Sequence, residues 1–269
     1  MRRKNQSFAG GFTYVVLTLL IIVVVSCDKV EDPLAEVPPD TVITLGPADG
    51  TVVTEPSVSF QWEGSNRFVG EFSYRCSPYQ AEWSLWSSDR SITYYLDEGD
   101  YLFEVMGRYE SGNEDDTPVQ RVFTVDFPGP GILIKPLRQE VTPGQEFTIH
   151  VFVNDVADLM LVHLSLKFGP SVLQALDAIP GEVFQVGSPP VFFKKINNFD
   201  GIVDIDISTV NARPSRINGT ADIAVIRFRS LSTGKSSVTL EDGSELRDSG
   251  NRIIDVVSRF GCVVEATAE

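Results

Sequence analysis

The chain has 269 residues with a formal net charge of −15, and 42% of its residues are hydrophobic. That apolar content is enough for packed cores and excludes a disordered chain, while the acidic balance repels phosphate backbones and argues against nucleic-acid binding. Seventeen Phe and few long helical patterns point to all-β architecture.

In chain order, Arg2, Arg3 and Lys4 precede an uncharged apolar run over 12–25, which stops at Ser26-Cys27. This is the layout of a secretory signal, and Val24-Val25-Ser26-Cys27 resembles the lipobox of bacterial lipoproteins. That resemblance implies cleavage of 1–26, lipidation of Cys27, and a membrane-anchored, extracytoplasmic location on the periplasmic face or the cell surface. Removing three basic residues would shift the formal charge from −15 to −18. The other reading of the run is an uncleaved signal anchor, since 6–27 is just long enough to span a bilayer. Residues 27–40 (CDKVEDPLAEVPPD) are acidic and proline-bearing and read as an extended tether.

From 41 to 127, short alternating runs are separated by turn clusters. Val58, Phe60 and Trp62 alternate, as do Phe72, Tyr74 and Cys76, then Tyr101, Phe103 and Val105. Roughly ninety residues with strands at this spacing fit a small Greek-key sandwich. The residues Gly46-Pro47, Gly50, Trp62, Tyr74-Arg75 and Leu96…Gly99-Asp100-Tyr101 resemble fibronectin type III-like modules. That likeness implies an immunoglobulin-type fold with a tyrosine corner at Tyr101. Trp83-Ser84-Leu85-Trp86-Ser87 matches the WSxWS signature of cytokine-receptor modules, but it precedes the tyrosine-corner strand, whereas in that family it falls late. Trp83 and Trp86, near Tyr79, Tyr94 and Tyr95, read either as a sugar-stacking platform or as caps on the sandwich edge, and capping is the commoner use. The acidic run Glu114-Asp115-Asp116 lacks the ligand spacing of a calcium loop and reads as a solvated face.

Residues 128–131 (PGPG) form a short hinge, and alternation resumes from 132 to 267. The densest pattern is 141–176. There Phe147, Ile149, Val151 and Val153 share one face, a polar break covers 154–158, and Val162, Leu164, Leu166 and Phe168 share the buried face of a second strand. Val203, Ile205 and Ile207 oppose Asp204, Asp206 and Ser208. Val238 and Leu240 form another strand, and 253–257 reads as the last clear one. Eight or nine strands predict a jelly-roll-like sandwich.

Motifs across 132–257 are similar in order to those of a cohesin module. They are Pro143-Gly144, the run from Leu164 to Leu173 through Gly169-Pro170, Gly181, Asn198…Gly201, Gly219…Phe228, and Leu246-Arg247-Asp248-Ser249-Gly250-Asn251. Gly169 replaces the Asp usual at that turn, and His163 stands where many cohesins carry an acidic or amide contact. The resemblance implies a non-catalytic sandwich, of a fold shared with carbohydrate-binding modules, that grips a dockerin-bearing protein. Calcium would then sit on the partner's side. The grip would use the outward residues His163, Ser165 and Lys167, then Asp204, Asp206 and Ser208, then Ser237 and Thr239. The competing reading is that these residues form only a solvated face. As the one histidine on this face, His163 would make binding pH-sensitive.

No pattern for catalysis, cofactor or metal is present. The two histidines, His150 and His163, have no accompanying nucleophile motif, and no Cys spacing suits zinc. Cys76 and Cys262 fall in different sandwiches and read as unpaired buried thiols, the alternative being a disulfide that staples the two together. Asp204 and Asp206 would lie about 7 Å apart on one strand, unlike the carboxylates of a glycosidase, which flank a cleft. The leading expectation is thus a lipid-anchored adaptor. The alternatives are a polysaccharide-binding surface lipoprotein, disfavoured because 132–267 has neither Trp nor Tyr, and a structural stalk.

Overall fold

The computed structural model describes residues 37–185 and 187–268. The expected signal peptide, Cys27 and most of the tether lie outside the described residues. The described chain is all-β apart from one 3-10 turn, Glu182–Phe184.

The first sandwich has seven strands. They are β1 (Thr41–Leu45), β2 (Thr51–Val53), β3 (Ser57–Gly64), β4 (Val69–Ser77), β5 (Ser91–Tyr95), β6 (Gly99–Tyr109) and β7 (Val119–Val125). One sheet has the order β1-β3-β5 and the other β2-β7-β6-β4. The alternation in β3 buries Val58, Phe60 and Trp62 and exposes their neighbours. Phe60 stacks on Phe103 with ring centroids 3.8 Å apart, and the Trp62 indole N–H donates to the Asp89 carbonyl at 3.1 Å. Truncating a fully enclosed ring such as Trp62 to Ala costs about 3–5 kcal/mol. Tyr101 donates its hydroxyl to the Asp97 carbonyl at 2.9 Å, tying the turn before β6 to its own strand.

Twelve strands follow. They are β8 (Gly131–Lys135), β9 (Arg138–Val141), β10 (Glu146–Lys167), β11 (Leu173–Pro180), β12 (Val191–Asn197) and β13 (Ile202–Ser208). After these come β14 (Ile217–Ser230), β15 (Gly234–Leu240), β16 (Glu245–Asp248), β17 (Ile253–Ile254), β18 (Ser258–Phe260) and β19 (Cys262–Ala266). This exceeds the eight or nine expected. The expected final strand over 253–257 shrinks to the two residues of β17. Two further strands lie beyond it, pairing in parallel with β8 and β9.

A second correction concerns 141–176. The expected pair of strands is one 22-residue strand, β10, whose pairing with β14 continues through Val156↔Gly219 and Leu159↔Ile217. Residues 154–155 and 157–158 are bulges within it, with buried Val156 paired between them. Before them the odd-numbered residues Phe147 to Val153 point inward; after them the even-numbered residues Val162 to Leu166 do. An extra residue in a strand reverses which side chains face the core, and shifts between Val153 and Val156, Val156 and Leu159, and Leu159 and Leu161 make three such reversals, so both halves feed one apolar cluster. Asp155 and Asp158 take left-handed backbone, φ 50° and 57°, a region Asp tolerates better than most residues. The Asp158 carboxylate meets Arg216 at 2.9 Å and accepts from the Ser249 hydroxyl, and its N–H donates to Asn218 Oδ1.

The bulge also meets the first sandwich. Buried Asn154 donates to Glu98 Oε1 at 3.3 Å, and the same oxygen accepts from the Phe127 N–H at 3.1 Å. The Phe127 ring is buried against Phe260, with centroids 4.8 Å apart. Gly129 packs so closely that a Cβ there would lie 2.3 Å from the Asp155 Cβ. The residues joining the two sandwiches are therefore packed on both sides.

Candidate functional site

The second half of β10 is flanked by β13 on one side and by β16 and then β15 on the other, with β12 outermost beyond β13. Register lines the outward residues up in rows. Phe193, Asp206, His163 and Glu245 form one row across four strands, and Val191, Ser208, Leu161 and Arg247 form the next. Lys195, Asp204 and Ser165 form a third, with Ser165 facing the 241–244 turn, whose Ser244 hydroxyl accepts from its N–H at 3.0 Å. Lys167 stands between Ile202 and Thr239.

Side-chain contacts follow the register. His163 Nδ1 lies 2.7 Å from Asp206 Oδ1, and the Ser165 hydroxyl donates to Asp204 Oδ1 at 2.8 Å. Lys167 reaches the Asp200 carbonyl, in the turn between β12 and β13. The Arg247 guanidinium donates to Glu245 at 2.7 Å and holds that carboxyl below the usual carboxylate range. Of the residues singled out from sequence, His163, Ser165, Lys167, Asp204, Asp206, Ser208 and Thr239 thus share one sheet face. Ser237 also points outward but lies opposite Val263, past the end of β10.

Sequence reasoning missed the apolar part of this face. Phe193 is 67% exposed and Val191 47%, both on β12 beside the polar rows. With Leu161, Arg247 and Asn251 they line a shallow depression of about 370 Å³. The doublet Phe192-Phe193 hides which ring faces out; pairing with β13 decides it, setting Phe192 opposite buried Ile207 and Phe193 opposite exposed Asp206. Glu245 and Arg247 were missed because β16 is only four residues long and carries little periodicity.

Other candidates resolve differently. Trp83 and Trp86 are half-buried, with Arg75 and Arg108 guanidinium carbons 4.6 and 4.5 Å from the ring centroids. Arg108 in turn pairs with Glu71 at 2.7 Å, and the WSLWS backbone bonds to β4 through Ser87 and Ser84. An indole face covered by guanidinium is not open to a sugar ring. The acidic run 114–116 is not a solvated face throughout: Asp115 is 3% exposed and accepts from the Thr117 N–H at 2.9 Å. Cys76 and Cys262 are both buried free thiols, and loss of water around each pushes its pKa to about 12.

No family model matches this chain, and no curated protein matches it. Among solved structures, it is similar to a non-cellulosomal cohesin from the archaeon Archaeoglobus fulgidus, 17% identical over 51% of this chain and 92% of that one, with a TM-score of 0.43. It is similar also to a type II cohesin domain from the cellulosome of Acetivibrio cellulolyticus, at 18% identity over 51% of this chain and 95% of that one, with a TM-score of 0.44. A cohesin–dockerin complex from Clostridium thermocellum matches at 14% identity over 51% of this chain and 99% of that one, with a TM-score of 0.43.

Proposed function

We propose that the chain is a non-catalytic, lipid-anchored extracytoplasmic adaptor whose second sandwich binds a dockerin-bearing protein through the outward face of β12, β13, β10 and β16. The observation that carries the reading is the row Phe193–Asp206–His163–Glu245, which puts an exposed aromatic ring beside a polar, internally hydrogen-bonded ladder on one sheet face. Protein-binding surfaces concentrate energy in a few apolar or aromatic anchors, with charged groups around them giving orientation. Here Phe193, Val191 and Leu161 would be the anchors. His163, Asp204, Asp206, Lys167 and Thr239 would supply the polar contacts.

The order of elements suits this role. The resemblance of Val24–Cys27 to a lipobox puts the anchor first, then an acidic tether, then one sandwich as spacer, and the binding sandwich farthest from the membrane. The class of partner comes from the cohesin-like motif order between Pro143 and Asn251. The test is a pull-down of the source organism's secreted proteins on the immobilised full chain, in calcium and then in chelator, since dockerins fold on calcium. Capture of a duplicated Asp/Asn-rich module that elutes with chelator, and is lost in Phe193→Ala, is the expected result. Calcium-independent capture, or capture unaffected by that substitution, would refute it.

A further inference from the structure

A second cleft, sharing no residue with that sheet face, lies where the two sandwiches meet. Tyr79 and Tyr95 from the first sandwich and Arg138 from β9 line two adjoining lobes of about 200 and 390 Å³. Tyr79 is 56% exposed and meets Tyr94 edge-on, with centroids 5.7 Å apart. Tyr94 itself is buried and donates its hydroxyl to Gln80 at 3.2 Å, so Tyr79 rests on a fixed support. The alternation of β5 turns Tyr94 into the core and Tyr95 toward the cleft. Concave sites at junctions between sandwiches, with aromatic walls and a few convergent polar groups, are where small ligands usually bind.

One cation faces two carboxylates on this side of the cleft. Arg138 meets Glu265 at 2.5 Å and Glu140 at 3.0 Å, and Asp97 at the other end meets Lys135 at 3.0 Å. A phosphate or an acidic peptide would therefore find no free cation at Arg138 and would be repelled by the surplus carboxylate of exposed Glu140. An exposed tyrosine ring beside a half-buried one, with the exposed Glu140 carboxylate as acceptor, suits an uncharged ligand with an apolar face and a rim of hydroxyls.

We propose that this cleft binds a short neutral glycan, one pyranose ring lying against Tyr79 and Tyr95 and a sugar hydroxyl donating to the Glu140 carboxylate. The platform differs from the tryptophan pair Trp83 and Trp86, whose rings are taken by arginines. The experiment is calorimetric titration of the full chain with neutral tetrasaccharides of β-1,4-glucan, xylan, mannan and α-1,4-glucan, alongside a proline-rich peptide. At least one tetrasaccharide should bind with Kd below about 1 mM, and Tyr79→Ala and Tyr95→Ala should each weaken it about 10-fold or more. Tyr79→Phe, which keeps the ring, should retain most of the affinity. Phe193→Ala should leave it unchanged, separating this site from the partner face. The proposal fails if no tetrasaccharide binds at about 10 mM, if binding survives both alanine variants with unchanged melting temperature, or if only the peptide binds.

Discussion

His163 and Asp206 sit directly opposite each other on β10 and β13, and their side chains meet at 2.7 Å on the surface of the sheet. The pair is flanked by Phe193 on one side and Glu245 on the other, so a partner covering the ring would also cover the pair. His163→Ala or Asp206→Ala should each weaken partner binding by about 1–3 kcal/mol, because the companion group would be left without its mate under the interface. Surface-plasmon titration of the captured partner against both single variants and the double variant measures this, and strict additivity would show that the two do not act together.

Phe193 is exposed enough that its removal should cost the fold little. Phe193→Ala should change unfolding free energy by less than about 0.5 kcal/mol. The same substitution should reduce partner affinity by a factor of about 10 or more. Chemical denaturation beside a binding titration separates the two effects, and a large loss of stability would place the ring in packing instead.

The joint between the sandwiches is exposed to a one-methyl test. Gly129→Ala would drive a Cβ to 2.3 Å from that of Asp155, in a stretch held on both sides, so the backbone must shift. A cost of about 1–3 kcal/mol is expected, as for other overpacked sites. Gly112, where a Cβ meets nothing but the backbone is left-handed at φ 87°, serves as the comparison: Gly112→Ala reads strain without collision.

Acid should weaken the second sandwich by a definable route. Arg229 holds Glu146 below its ordinary value, Ser249 and then Arg216 hold Asp158, and Lys194 holds Asp177. A carboxyl whose pKa is lower in the folded than in the unfolded chain contributes stability above its unfolded pKa. That contribution is lost as pH falls through the folded value. Melting temperature should therefore be flat in neutral solution and fall below about pH 4. Asp158→Asn should lower the neutral-pH plateau and make the acid limb shallower. An unchanged limb would mean that this carboxylate contributes nothing.

Both cysteines should be silent to thiol reagents. With the thiols of Cys76 and Cys262 buried and pushed to about 12, the reactive thiolate is scarce at neutral pH. Ellman's reagent should label neither until the chain is unfolded, and rapid labelling of native Cys262 would show that the β15–β19 edge opens.

Much of the candidate face is legible in the sequence. A strand alternates with period two whatever it pairs with, so Val162, Leu164 and Leu166 imply that His163, Ser165 and Lys167 point the other way, and Val203, Ile205 and Ile207 do the same for Asp204 and Asp206. Burial of aromatic and β-branched residues likewise determined that the described chain is all-β and where most strands of the first sandwich lie. These are local consequences of backbone geometry. What the tertiary structure alone decided is register and neighbourhood. Residues 154–158 look like the end of a strand, yet they bulge around a paired Val156 because β14 keeps pairing past them and one apolar cluster draws in both halves of β10. Whether Phe192 or Phe193 faces solvent depends on its partner in β13, and Arg138 meets Tyr79 and Tyr95 only because two sandwiches pack together. Such relations join residues far apart in the chain, and no local periodicity encodes them.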